Sequence, residues 1–246
     1  MNPGQNKLIV ALDVETADQA RRLVASLSGI AGMFKIGSQL FTAAGPDLVR
    51  EIIKAGEKIF LDLKFHDIPN TAAAAGVEAT RLGVAMFNVH ASGGGTMMRR
   101  TVTAVAECAT REGLLSPAIL GVTVLTSSND ATLAEIGVRG KPDETVARLA
   151  QLAAHNGLDG VVASAREVSI IRDVVTNPGF IVVTPGVRPA GAGSDDQARV
   201  MSPREAIAAG ADYLVVGRPI TAAPDPARAA QQIIAEMQSS AAAGSI

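Results

Sequence analysis

The run LDLKFHDIPNT, Leu61–Thr71, carries three charged side chains at a spacing that can do chemistry: Asp62, Lys64 and Asp67. In an extended segment side chains alternate, so Asp62 and Lys64 face one way and Leu63 and Phe65 the other. With the apolar pair turned to a covering layer, the acid and the ammonium face the interior. An ammonium between two carboxylates keeps its charge. That makes it a poor Schiff-base nucleophile, which needs the neutral amine, but a suitable proton donor to a developing carbanion. The bland alternative is an ion-pair network that only braces the core. Asp13 in ALDV and Lys35 in FKIG extend the alternation of charge onto neighbouring segments, and this favours chemistry.

A second cluster spans Thr184–Pro203 (TPGVRPAGAGSDDQARVMSP) and Tyr213–Ile220 (YLVVGRPI). Arg188 and Arg218 offer guanidinium forks for an anion, and Gly217 lets the backbone approach it. The segment PAGAGSDDQ is glycine-rich and polar, as a closing lid or a solvated surface loop would be. The three histidines and the one cysteine are weaker candidates. His90 could act as a base or bond to the backbone, His66 reads as structural and His155 as a surface residue. Cys108, on a helical stretch beside alanines, reads as a buried inert thiol. No His, Asp or Glu group has metal-ligand spacing, and no Ser has a His–acid partner pattern.

These residues must be positioned by something, and the chain is built from short β-branched runs. They begin at Leu8, Met33, Lys58, Ala85, Ala118, Gly160, Phe180 and Tyr213, with room for a helix after each. Apolar residues at three- and four-residue spacing predict helices over Ala17–Leu27, Asn70–Gly83, Thr96–Gly113 and Lys141–Gly157. Gly83, Gly113 and Gly157 sit where C-terminal caps belong, and Ser202-Pro203 reads as an N-cap with a first-turn proline. Eight β-α units with near-continuous apolar strands predict a parallel sheet covered on its outer face. The expectation is a single-domain (β/α)8 barrel, the TIM-barrel architecture, over 1–246, with frayed tails at 1–6 and about 239–246. A doubly wound open sheet is second, weakened by the absence of GxGxxG after the first strand. In such a barrel the site lies at the strands' C-terminal ends. Asp13, Lys35, Asp62, Lys64, Asp67, Asn88, His90, Thr123, Thr126, Ser164, Arg188, Gly217 and Arg218 all fall on or just after strand ends.

Composition bounds the function classes. Lys plus Arg total 22 against 24 Asp plus Glu, a net charge of −2, which disfavours nucleic-acid binding. One cysteine excludes a disulfide framework, and 48% apolar residues are ample for a core. No Trp and 3% aromatics disfavour base-stacking platforms. No apolar run reaches the roughly 18–20 residues of a membrane span, and the N-terminus has no signal-peptide pattern, so the expected compartment is the cytoplasm.

Taken in order, ALDV, FKIG, LDLKFHDIPNT, GVTVLTS, PGVRP, DDQAR and VVGRPIT resemble the motifs of the orotidine 5′-phosphate decarboxylase family in its compact bacterial form, from Leu8 to about Pro226. The Asp-x-Lys-x-x-Asp core alone is shared with related metal-dependent sugar-phosphate decarboxylases and aldolases. The resemblance implies conversion of orotidine 5′-monophosphate to UMP and carbon dioxide, the last step of de novo pyrimidine synthesis, without metal or organic cofactor. It makes Lys64 the proton donor to C6 and sets Asp62 beside the departing carboxylate. Asp13 and Lys35 would hold ribose hydroxyls. Thr126 and Ser127 would lie by the base, with Pro185 lining its pocket. Arg188, Gln197, Gly217 and Arg218 would surround the phosphate. Asp67 and Thr71 would serve the partner's site in a homodimer with shared active sites.

Overall fold

A computed structural model describes residues 3–188 and 201–239. Eight strands follow in chain order: β1 Leu8–Ala11, β2 Met33–Gly37, β3 Ile59–Phe65, β4 Met86–His90, β5 Ala118–Val122, β6 Gly160–Val162, β7 Ile181–Pro185 and β8 Tyr213–Val216. Every neighbouring pair is parallel, and β8 pairs with β1 to close the barrel. Each strand begins within one residue of its expected start. Helices cover the outside: α1 Pro3–Lys7, α2 Ala17–Leu27, α3 Ser38–Lys54, α4 Pro69–Arg81, α5 Gly94–Glu112, α6 Asp130–Glu135, α7 Pro142–His155, α8 Val168–Val174, α9 Pro203–Ala208, α10 Arg218–Thr221 and α11 Pro226–Gln238. Among the described residues no helix is long and apolar enough to cross a membrane.

The helix boundaries follow local chemistry. Thr16 caps α2 and Gln19 reaches back to it, a reciprocal box that satisfies two orphan amides. Ser202 and Glu205 do the same for α9, with Pro203 in its first turn. Gly113 ends α5 at φ 65°, the left-handed cap expected of it. The N-terminal expectation needs correction: Pro3–Lys7 is a helical turn packed on α11 and not a frayed tail. At the other end α11 closes at Gln238, and 240–246 lie outside the described residues.

Two apolar layers result from strand alternation. One set of strand side chains packs outward on the helices, with Leu8, Val10, Phe34, Leu61 and Phe87 fully or nearly fully buried there. The other fills the barrel interior with Ile9, Ala11, Met33, Phe60, Met86, Leu120, Val183 and Val215. Period two then dictates what stands one step higher in the interior. Asp13 follows Ala11, Lys35 follows Met33, Asp62 follows Phe60 and Asn88 follows Met86. The apolar plug supports a polar floor, at the C-terminal ends of the strands.

Candidate active site

That floor is a chain of charges. Lys35 Nζ donates to Asp13 Oδ1 at 2.9 Å and lies 3.3 Å from Asp62 Oδ2, while Lys64 Nζ donates to Asp62 Oδ1 at 2.7 Å. Lys35 and Asp62 are each only 8% exposed. A buried carboxylate stripped of partners costs several kcal/mol. Asp62 is held by both ammoniums and by Asn88, whose Nδ2 donates to Oδ1 at 2.7 Å. Carboxylate and ammonium thus alternate around the barrel, Asp13 from just past β1, Lys35 from β2, and Asp62 and Lys64 from β3.

Lys64 reaches its place through a backbone irregularity. The pairing of β3 with β4 runs from Leu61↔Phe87 to Phe65↔Val89, so the three residues between on β3 stand opposite Asn88 alone. Within this bulge Lys64 has φ 53°, the one positive φ outside glycine among the described residues. That conformation is costly for a side-chain-bearing residue and collects at functional sites. Asn88, wholly buried, accepts the Lys64 backbone N–H on Oδ1 at 2.8 Å.

Above the charges lies a cavity of about 270 Å³. Asp13, Lys35, Asp62 and Lys64 line it together with the apolar Phe60, Val122, Val162 and Val215. Val124, Leu125, Thr126, Pro185 and Gly217 line the rest. Among the described residues, a Cβ on Gly217 would stand at ordinary contact distance, 3.6 Å from the Ala11 Cβ and 3.7 Å from Asp13 Oδ2. A wider recess of about 870 Å³ adjoins the cavity at Thr126 and Pro185, and Ser127, Ser164 and Glu167 line it. Arg188 follows β7, its N–H donating to the Met201 carbonyl. Arg218 is exposed at the start of α10, just past the cavity wall. Gln197 and the rest of the polar loop lie outside the described residues.

Several expectations change. Asp67 does not flank Lys64 within the chain; it is exposed, and its carboxylate accepts the Ile68 N–H at 2.6 Å. Thr71 is likewise exposed, on the first turn of α4, and neither residue lines the cavity. Thr123 donates to the Val162 carbonyl and serves the barrel. Ser164 lies beyond the short β6 and caps the following turn, Ala165–Glu167. His90 and His66 stack loosely, ring centres 5.3 Å apart. Burial, then His66 and Lys64, hold the His90 imidazole below its ordinary range, so it is neutral at neutral pH. Cys108 is buried and His155 exposed, as read from the sequence. Among the described residues no three His, Cys, Asp or Glu side chains converge as metal ligands. The part played by Asn88 is not visible in the chain itself; the available signal was an amide on the inward face directly above Met86.

Comparison with known proteins gives a consistent answer. The family model described as Orotidine 5′-phosphate decarboxylase / HUMPS family matches residues 6–233. A protein of Syntrophotalea carbinolica named orotidine 5′-phosphate decarboxylase is 56% identical, over 95% of this chain and 95% of its own. Its namesake in Geobacter sulfurreducens is 53% identical over 95% and 96%. The crystal structure of orotidine 5′-phosphate decarboxylase from Lactobacillus acidophilus superposes with a TM-score of 0.82 at 36% identity, covering 94% of this chain and 98% of that one.

Proposed function

The chain belongs to the orotidine 5′-phosphate decarboxylase / HUMPS family, and on that premise we propose that it converts orotidine 5′-monophosphate to UMP and carbon dioxide, with Lys64 as proton donor. The observation that carries this reading is the Asp13–Lys35–Asp62–Lys64 array lining a small cavity whose other walls are largely apolar. Breaking the bond from C6 to the carboxyl carbon leaves its electron pair on C6, in an sp² orbital that the ring delocalises poorly. The barrier is therefore electrostatic, and a fixed ammonium where the charge develops is stabilisation already in place. The pair on C6 takes a proton from Lys64 Nζ, and the resulting amine regains one from solvent. Asp62 adjoins the departing carboxylate, Asp13 and Lys35 take ribose hydroxyls, and Thr126, Ser127 and Pro185 receive the base. Arg188, Gln197, Gly217 and Arg218 hold the phosphate, whose binding energy serves the transition state although it is remote from C6.

The reading extends to a cytoplasmic homodimer. Asp67 and Thr71 are exposed and absent from the lining of their own cavity, with Ile68 between them 68% exposed, which suits residues that complete a neighbour's site. No metal enters this scheme, because Asp13 and Asp62 are already engaged by ammonium groups. The test is to add the purified protein to orotidine 5′-monophosphate in metal-free buffer with EDTA. Loss of the substrate's absorbance with release of carbon dioxide is expected. Turnover that EDTA abolishes would favour the metal-dependent relatives, and no turnover would refute the reading.

A further inference from the structure

We infer that Asn88 is a positioning residue for the reaction, one amide that fixes the backbone of Lys64 and the carboxylate of Asp62 together. The inference rests on the decarboxylase reading above. Three β3 residues stand opposite Asn88 alone, so the ordinary ladder of backbone hydrogen bonds cannot continue there. The Asn88 side chain replaces it: Oδ1 accepts the Lys64 N–H at 2.8 Å and Nδ2 donates to Asp62 Oδ1 at 2.7 Å. The amide orientation is forced, since a backbone N–H can only donate and a carboxylate can only accept. Asp62 Oδ1 is the same oxygen that receives Lys64 Nζ. Asn88 therefore closes a small ring through the backbone, side chain and counter-charge of the proposed proton donor. The residue is fully buried and does not line the cavity, so it acts through its neighbours and not on the substrate. A bulge that holds Lys64 at φ 53° relaxes unless something pins it, and a shift of about 1 Å at a reacting group can cost 10²-fold in rate.

Asn88→Asp and Asn88→Ala separate positioning from bracing. Asn88→Asp keeps the volume and the acceptor for the Lys64 N–H but sets a second carboxylate against Asp62. Two carboxylates in contact share a proton, which raises one of their pKa values. The other titratable groups near that pair are Lys64 on β3, Lys35 on β2, Asp13 beyond it, and the His66–His90 pair. Rates are therefore divided by the wild-type rate at each pH, which cancels their titration. The expected result for Asn88→Asp is a kcat about 100-fold down at pH ~8, recovering at least tenfold by pH ~5.5 as the shared proton restores a donor, with KM within about threefold. Asn88→Ala should lose as much and recover nothing. A kcat near wild type in Asn88→Asp, or a deficit that ignores pH, overturns the inference. Failure of both variants to fold assigns Asn88 to the barrel alone and also overturns it. A wild type without turnover refutes the decarboxylase reading itself, a distinguishable outcome.

Discussion

Lys64 joins three unusual properties in one residue: an ammonium on a buried carboxylate, a left-handed backbone, and a backbone N–H satisfied by a side chain. The proposed chemistry uses the first, and the other two aim it. Replacing the side chain removes both the proton donor and the positive charge that faces the carbanion. General acid catalysis alone contributes about 10²–10⁴-fold, and preorganised charge adds to it. Lys64→Ala should therefore show no measurable decarboxylation while unfolding cooperatively on heating. Asp62 keeps Lys35 and Asn88 as partners, so the fold is not left with an unpaired charge. A folded Lys64→Ala protein retaining a tenth of wild-type kcat would remove Lys64 from the role. That Asp62 and Lys64 share a face was legible from alternation; that they do so across a bulge was not. A bulge depends on which residue of the next strand stands opposite, and local sequence does not carry register.

At the scale of the elements, runs of Val, Ile and Leu placed all eight strands, because a parallel strand is apolar on both faces. Four long amphipathic helices were equally plain. The sequence pattern did not single out α3, whose periodicity is interrupted by Gly45, at φ 70°, and Pro46. β6 pairs only over Gly160–Val162, although the small and apolar character of the sequence runs on through Ala163 to Ala165. The turn that follows holds a carboxyl that sequence did not mark. Burial pushes Glu167 up to about 7, Asp143 adds to the rise, and the Ser164 N–H only partly opposes it. Folding then takes up a proton between the ordinary carboxyl value near 4.5 and about 7. The sign follows: the folded state binds more protons there, so stability falls as pH rises through that window. Glu167→Gln keeps an acceptor for Ser164 and cannot ionise. Its thermal unfolding should match wild type near pH 4 and exceed it by about 1–3 kcal/mol at pH ~8, a few degrees in Tm for a domain of this size. A difference that stays constant across that range would contradict the shift.

At the scale of the whole molecule, the barrel closes on itself and leaves no sheet edge to pair, so association must use the helical and loop surface. Asp67, Ile68 and Thr71 lie on that surface, where β3 gives way to α4. If Asp67 completes a partner's site, Lys64→Ala and Asp67→Ala damage a given site from different chains. A dimer of one variant with the other then has one site with both lesions and one with neither. Refolding the two inactive proteins together, with random exchange, should return roughly a quarter of wild-type activity. Continued inactivity, with mixed dimers present by mass, would show that Asp67 acts within its own chain. The ring also divides its labour by arc. Asp13, Lys35, Asp62, Lys64 and Asn88 all come from β1–β4 or their ends, whereas Thr126, Pro185, Arg188 and Gly217 follow or end β5, β7 and β8. On the proposed reading, bond breaking and the ribose contacts fall to the first half of the chain and the grip on base and phosphate to the second. Drift in the later loops can retune which remote group is held while the charged half stays fixed, so a new substrate can be acquired without rebuilding the reaction.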